Sequence, residues 1–281
     1  MPFESSPYSR EIDLCMRLAR EAGELAVKCR DGDLEVEMKA GDEPVTVADK
    51  MASDHIVAGL EQVFPNDVII SEENADDLRR LTANRVWYID PIDGTKDFIR
   101  GEEGFCVMIG LVLDGRPRLG VIYQPTSKRS FAAAPDCGTW LYAPGEEPRR
   151  VRVSDTSDPA KARLVASKSH RDTKIDSVKS ALGINNELNI GSVGLKLGLI
   201  AVGERDLYVN PSPRCKTWDT CGPEALLAEA GGLLTDINGQ PLRYDDEDVG
   251  HPRGLLASNG KVHQAVVNKL DPLFPPDRPI D

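Results

Sequence analysis

Apolar positions between Ser9 and Cys29 fall at Ile12, Cys15, Leu18, Ala19, Ala22, Leu25 and Ala26. That spacing returns to one side of a 3.6-residue turn and predicts an amphipathic helix with one buried face. A second helix is predicted to follow Thr46 and to run to about Val63, where "FPND" ends it. The pattern then shortens. "DVIIS" and "RVWYID" are rich in β-branched or aromatic residues, and each closes on a polar or acidic group, which predicts strands with charged ends. "FCVMIGLVLDGRPRLGVIYQP" reads as two strands around a turn at Asp114 and Gly115, and "RSFAAAP" and "GTWLYAP" extend the sheet. The first half is therefore expected to be α+β with an antiparallel sheet.

From about Pro144 to Lys161 the chain turns polar and Pro-bearing, which places a boundary near residue 155 and divides the chain into 1–155 and 156–281. Beyond it come a strand "RLVAS", a helix near Thr173 to Leu182, a helix in "GLKLGLIAVGE", a strand "DLYVN", a helix after Trp218 and a strand "GLLTDI". Such alternation predicts an α/β layered arrangement for the second half, and α/β as the class of the whole.

The 281 residues can bury a substantial core, as one large domain or two smaller ones. A net charge of −12 argues against a nucleic-acid polymer as partner, because phosphate-backbone affinity needs clustered Lys and Arg. A small anion is still compatible if surplus carboxylates recruit divalent cations that in turn bind phosphate. No apolar run is long enough for a membrane span, and the first residues lack the basic and apolar regions of a secretory signal, so a cytoplasmic protein is expected. Six scattered cysteines form no CxxC pair or zinc-ligand spacing and read as buried thiols.

Candidate chemistry gathers in "WYIDPIDGTKDFI". Asp90 and Asp93 repel each other when both are ionised, and a hard cation with oxygen ligands relieves that repulsion. Asp, Pro and Gly also suit a simple type I turn. Glu72, in "SEE", reaches Asp90 if the two preceding strands are neighbours; otherwise it is a solvated surface residue. Asp49 follows Thr46 at the spacing of a helix capping box, and Asp219 suits a helix start, so each has a local explanation beside a catalytic one. Gly94 lets the backbone approach a ligand, and amides at the following helix start suit a phosphate, with the Thr95 hydroxyl able to orient a water. Together these features predict metal-dependent phosphoryl hydrolysis.

"PVTVADK", "SEE", "WYIDPIDGTKDFI" and "WDTCGPEALLAEAGG" stand in the order and spacing of the inositol monophosphatase superfamily, which the chain resembles over nearly its whole length. The resemblance implies a layered αβαβα sandwich and a lithium-sensitive phosphatase with two or three Mg2+ ions. It implies metal ligation by Glu72, Asp90, Asp93, Asp219 and the Ile92 carbonyl, most of them in the first half. Asp49 and Thr95, with Glu72, look like the residues that activate the attacking water. "GTKDF", "SKSH" and "SVGLKLGLIAVGERDLY" resemble the bacterial 3'(2'),5'-bisphosphate nucleotidase branch, which removes the 3'-phosphate from adenosine 3',5'-bisphosphate. That likeness implies substrate contacts at Gly94, Thr95, Ser169, His170, Ser192 and Lys196, a role in sulfur metabolism, and a monomer or homodimer. Inositol monophosphate and fructose 1,6-bisphosphate are the alternative substrates, and a non-catalytic cation-binding scaffold is the alternative of another class.

Overall fold

A computed structural model describes residues 2–32, 36–39, 43–76, 78–168 and 174–280. The first apolar period forms α1 (Ser9–Arg30), buried along Ile12, Cys15, Leu18, Ala19, Ala22 and Ala26, with Leu14 added and Leu25 only half-buried. Lys28 and Arg30 in its last turn oppose the negative end of the helix dipole. An antiparallel hairpin, β1 (Val36–Lys39) with β2 (Glu43–Thr46), leads into α2 (Val47–Val63). The hairpin is not anticipated from sequence because "VEMK" offers no buried face; Val36 and Met38 are both exposed.

The first sheet runs β3 (Val68–Ser71), β4 (Arg85–Asp93), β5 (Cys106–Leu113), β6 (Arg116–Gln124), β7 (Arg129–Ala134), β8 (Gly138–Tyr142) and β9 (Arg149–Val151) in spatial order. β3 and β4 are parallel, and each later pair is antiparallel. Asp114 and Gly115 both have positive φ, 50° and 74°, the mirror-image turn whose twist matches a two-residue hairpin. On β4, Trp87 and Ile89 face the core beneath α1 and α2, whereas Val86 and Tyr88 face the opposite side. A short helix, α3 (Thr95–Ile99), follows β4.

The second sheet is mixed, in the order β11 (Glu187–Ile190), β10 (Leu164–Ser167), β12 (Leu207–Asn210), β14 (Leu255–Ser258) and β13 (Leu233–Thr235). β10 is parallel to β11 and β12, and β14 is antiparallel to β12 and β13. Residues of α4 (Lys174–Leu182) and α7 (His263–Leu270) pack on its outer face, joining Val178, Leu182, Val266 and Leu270 to Leu164, Leu207 and Leu256. Between the sheets lie α5 (Val193–Ala201) and α6 (Thr217–Glu229), where Leu197, Ile200 and Leu227 share one cluster with Tyr88, Val165 and Tyr208. The layers are therefore αβαβα, the architecture that the resemblance implies. β11, β14 and α7 escape the sequence reading, since four- to eight-residue apolar stretches are too short to display a period.

α6 meets the first sheet through glycine. A Cβ on Gly120 would stand 2.2 Å from the Gly222 carbonyl oxygen, and one on Gly110 would stand 2.5 Å from the Gly222 nitrogen. Only side-chain-free backbone allows that approach, which carries Asp219, near the start of α6, to the first sheet. The chain crosses between sheets after Val151, where the buried Asp206 carboxylate accepts from Ser154 Oγ, from Arg163 N (2.7 Å) and from Arg163 Nε (2.8 Å). We place the division near residue 155 on this passage as a proposal: it separates two sheets, while the helices between them pack against both. Among the described residues, no helix is long and apolar enough to cross a membrane.

Candidate active site

Parallel pairing of β3 with β4 sets Ser71 opposite Ile89, so both strands end at the same edge of the sheet. The Glu72 amide then donates to the Ile89 carbonyl at 3.1 Å, which brings Glu72 alongside Asp90. Asp90 and Asp93 are three residues apart, and simple strand alternation would send them to opposite faces. A bulge prevents this: Asp90 pairs with Met108 and Asp93 with Cys106, so β4 carries one extra residue and both carboxylates line one cavity. The Ile92 amide donates to Asp90 Oδ1 at 3.0 Å within the bulge. The local turn chemistry and the convergence of carboxylates are thus parts of one feature.

Backbone and side-chain donors tether the other acids. Asp49 Oδ2 accepts from the Thr46 amide (2.8 Å) and hydroxyl (2.6 Å), forming the capping box of α2. Its Oδ1 lies 3.5 Å from Thr95 Oγ1, which also donates to the Ile92 carbonyl at 3.1 Å. The cap and the site therefore share one carboxylate. Asp219 Oδ2 accepts from the Lys216 amide (2.7 Å) at the start of α6. Gly94 holds φ at +98°, and a Cβ there would stand 2.6 Å from the Gly104 carbonyl oxygen, so the turn that presents Thr95 requires glycine.

Asp93 Oδ2 accepts from Ser192 Oγ (2.5 Å) and the Gly194 amide (2.7 Å). Ser192 is fully buried and also caps α5 by accepting from the Leu195 amide at 3.0 Å. Ser192 is expected at the substrate from sequence; in the structure its hydroxyl is engaged with Asp93 and the start of α5, and it is not among the residues that line the cavity. Ser169 and His170, also expected at the substrate, lie outside the described residues.

Burial pushes the Asp90 carboxyl well above the ordinary carboxylate range, and the charges of Glu72, Asp93, Asp219 and Asp49 push it further. Among the described residues, no three acidic, His or Cys side chains form a ready-made ion cage. The donor set nevertheless fits a hard divalent cation. It consists of carboxylate and carbonyl oxygens, and their mutual repulsion is the quantity that a cation would relieve.

The opposite wall has other chemistry. The cavity, about 270 Å³, is also lined by Ser167, Lys196, Tyr208, Asn210, Arg214, Lys216 and Trp218. Ser167 and Asn210 are the last residues of β10 and β12, so strand ends from both sheets meet here. Lys196 is fully buried; its Nζ donates to the Gly191 carbonyl (2.8 Å) and Ser167 Oγ (3.2 Å) and lies 5.1 Å from the Tyr208 ring centroid. Burial lowers its pKa, against the opposing pull of Asp93. Ser167, Tyr208, Arg214, Lys216 and Trp218 are not anticipated from sequence. The alternation in "DLYVN", which sets Tyr208 and Asn210 on one face, is the signal that could have found Tyr208.

The fold is shared with an inositol monophosphatase from Thermotoga maritima (TM-score 0.79, 25% identity, covering 94% of this chain and 98% of that one). Fold and site thus define a phosphatase. The inositol monophosphatase family matches residues 9–272, and the chain belongs to that family, whose members are generally metal-dependent. It is 35% identical over 236 residues to the 3'(2'),5'-bisphosphate nucleotidase CysQ of Escherichia coli strain K12, spanning 83% of this chain and 93% of that protein. It is also 29% identical over 270 residues to the Nus factor SuhB of Pasteurella multocida, spanning 93% and 96%.

Proposed function

We propose that this protein is a Mg2+-dependent phosphomonoesterase that hydrolyses adenosine 3',5'-bisphosphate, and its sulfated form, at the 3'-phosphate to release phosphate and the 5'-nucleotide. The observation that carries this reading is the division of one cavity into an acidic end and a wall bearing a buried ammonium. A substrate with a single phosphate has use for the first alone; a second phosphate gives Lys196 an anionic partner in a place where an unpaired charge is costly. The similarity to CysQ supports the same choice.

Glu72, Asp90, Asp93, Asp219 and the Ile92 carbonyl would hold two or three Mg2+ ions. Bound there, the cations would supply charge neutralisation and a more acidic water. The chain's own residues supply orientation. Thr95 Oγ1 holds the attacking water, whose proton passes toward Asp49 Oδ1, with Glu72 beside it. As the new P–O bond forms, the bond from phosphorus to the ribose 3'-oxygen breaks, and that oxygen takes a proton from solvent. The capping box keeps Asp49 in place while its second oxygen serves the reaction.

Lys196→Met tests the substrate assignment, because Met fills most of the buried volume while removing the ammonium together with its hydrogen bonds to Gly191 and Ser167. We expect at least a tenfold loss of kcat/KM on adenosine 3',5'-bisphosphate and a much smaller loss on inositol 1-phosphate. An equal loss on both would contradict the two-phosphate reading. The likeness to SuhB keeps a scaffold without catalysis as the second reading, and metal binding with no phosphate release from any candidate would favour it.

A further inference from the structure

Arg80 is a fully buried guanidinium that does not line the cavity. It sits in a short 3-10 turn, Arg79–Leu81, between Glu72 and β4. Its Nε donates to Asp76 Oδ2 at 2.6 Å, Nη1 to the Asp246 carbonyl at 2.5 Å and Nη2 to the Glu247 carbonyl at 2.8 Å. Taking a guanidinium out of water is costly, and apolar side chains of similar volume often hold a buried place equally well. Stability alone therefore leaves the choice of arginine unexplained. What a guanidinium adds is a rigid planar fork that fixes the direction and spacing of the groups it joins.

Those groups lead to two different arms of the acidic cluster. On one side, Asp76 belongs to the loop that starts at Glu72, and its Oδ1 also accepts from the Leu78 amide at 2.9 Å, so both its oxygens are engaged. On the other side, residues 244–251 are fastened to the start of α6. Thr217 N donates to Val249 O (2.8 Å), His251 N donates to Cys215 O (2.9 Å), Lys216 and Gly250 form an antiparallel bridge, and His251 Nε2 lies 2.8 Å from Thr220 Oγ1. These bonds flank Asp219, whose Oδ2 accepts from the Lys216 amide. Tyr88 Oη adds a second tie to the same segment, donating to the Tyr244 carbonyl at 2.7 Å from the strand that carries Asp90. Glu72 and Asp219 both line the cavity. We infer that Arg80 is a positioning residue that acts from outside the cavity, holding the Glu72 loop and Asp219 at the separation a bound cation needs. The inference rests on the metal reading given above.

Arg80→Met keeps most of the volume and removes the fork. Calorimetric titration of the metal-free full chain with Mg2+ alone should show an affinity about tenfold weaker than wild type, at a temperature where melting curves show both proteins folded. Phosphate release should recover most of its kcat once Mg2+ is raised in proportion, with KM for adenosine 3',5'-bisphosphate unchanged. Asp76→Asn leaves one oxygen to serve both Leu78 and Arg80, and it should weaken Mg2+ binding in the same direction. Because Asp76 is partly exposed, that variant tests the inference even if Arg80→Met does not fold. The double variant should bind no more weakly than Arg80→Met alone, since both changes break one link. Variants that lose melting temperature but keep wild-type Mg2+ affinity would reduce Arg80 to a fold contact and overturn the inference, while the metal reading stands. If wild type itself binds no Mg2+, that reading fails and this inference fails with it.

Discussion

Asp90 is buried and lies within the fields of four other carboxylates, with its own Oδ1 accepting from the Ile92 amide. Because its folded-state carboxyl is raised, the folded protein holds a proton that the unfolded chain has released once pH exceeds the ordinary Asp value of about 4. Stability is therefore lost as pH rises from there toward the folded value, unless a cation offsets the charge. Asp90→Asn stays neutral and retains the acceptor for Ile92. In EDTA at pH 8 the variant should melt several degrees above wild type, with the difference vanishing near pH 4, while turnover with Mg2+ falls at least a hundredfold. A variant no more stable than wild type at pH 8 would contradict the account of a repelling cluster. At this scale the acidic residues were legible in sequence because they follow recognisable strands. The bulge that aims Asp90 and Asp93 alike was not, since it depends on where β5 pairs, and the placing of Lys196 over the Tyr208 ring depends on how α5 packs between the sheets.

Among the elements, α2 combines a folding role with the chemical one proposed for Asp49. Thr46 Oγ1 accepts from the Ala48 amide at 3.2 Å and donates to Asp49 Oδ2 at 2.6 Å, so the helix cap also fixes the carboxylate that faces Thr95. Thr46→Ala should cost about 1 kcal/mol of stability and lower kcat several-fold, because Asp49 keeps only the Thr46 amide from its capping pair. A reduced melting temperature with unchanged kcat would separate the cap from the reaction. Long periodic elements were readable from sequence: α1 starts at the predicted Ser9, α2 ends at the predicted Val63, and the Asp114–Gly115 turn joins β5 to β6. β1 and β2 could not be read because their side chains bury little, and β14 because four buried residues between glycine-containing loops suit several structures.

Over the whole molecule, the proposed function depends on two sheets ending at one cavity. The first delivers acids from β3 and β4; the second delivers Ser167, Tyr208 and Asn210 from β10 and β12, with α5 supplying Lys196 and α6 supplying Asp219. The alternating second half foretold layering, but which strand ends would meet required the tertiary arrangement. The most direct measurement is phosphate release from adenosine 3',5'-bisphosphate, inositol 1-phosphate and fructose 1,6-bisphosphate, side by side, with Mg2+, with Mg2+ and Li+, and with EDTA. The account predicts a strong preference for the nucleotide that Li+ suppresses and EDTA abolishes. Preference for either sugar phosphate, or turnover undiminished by EDTA, would contradict it.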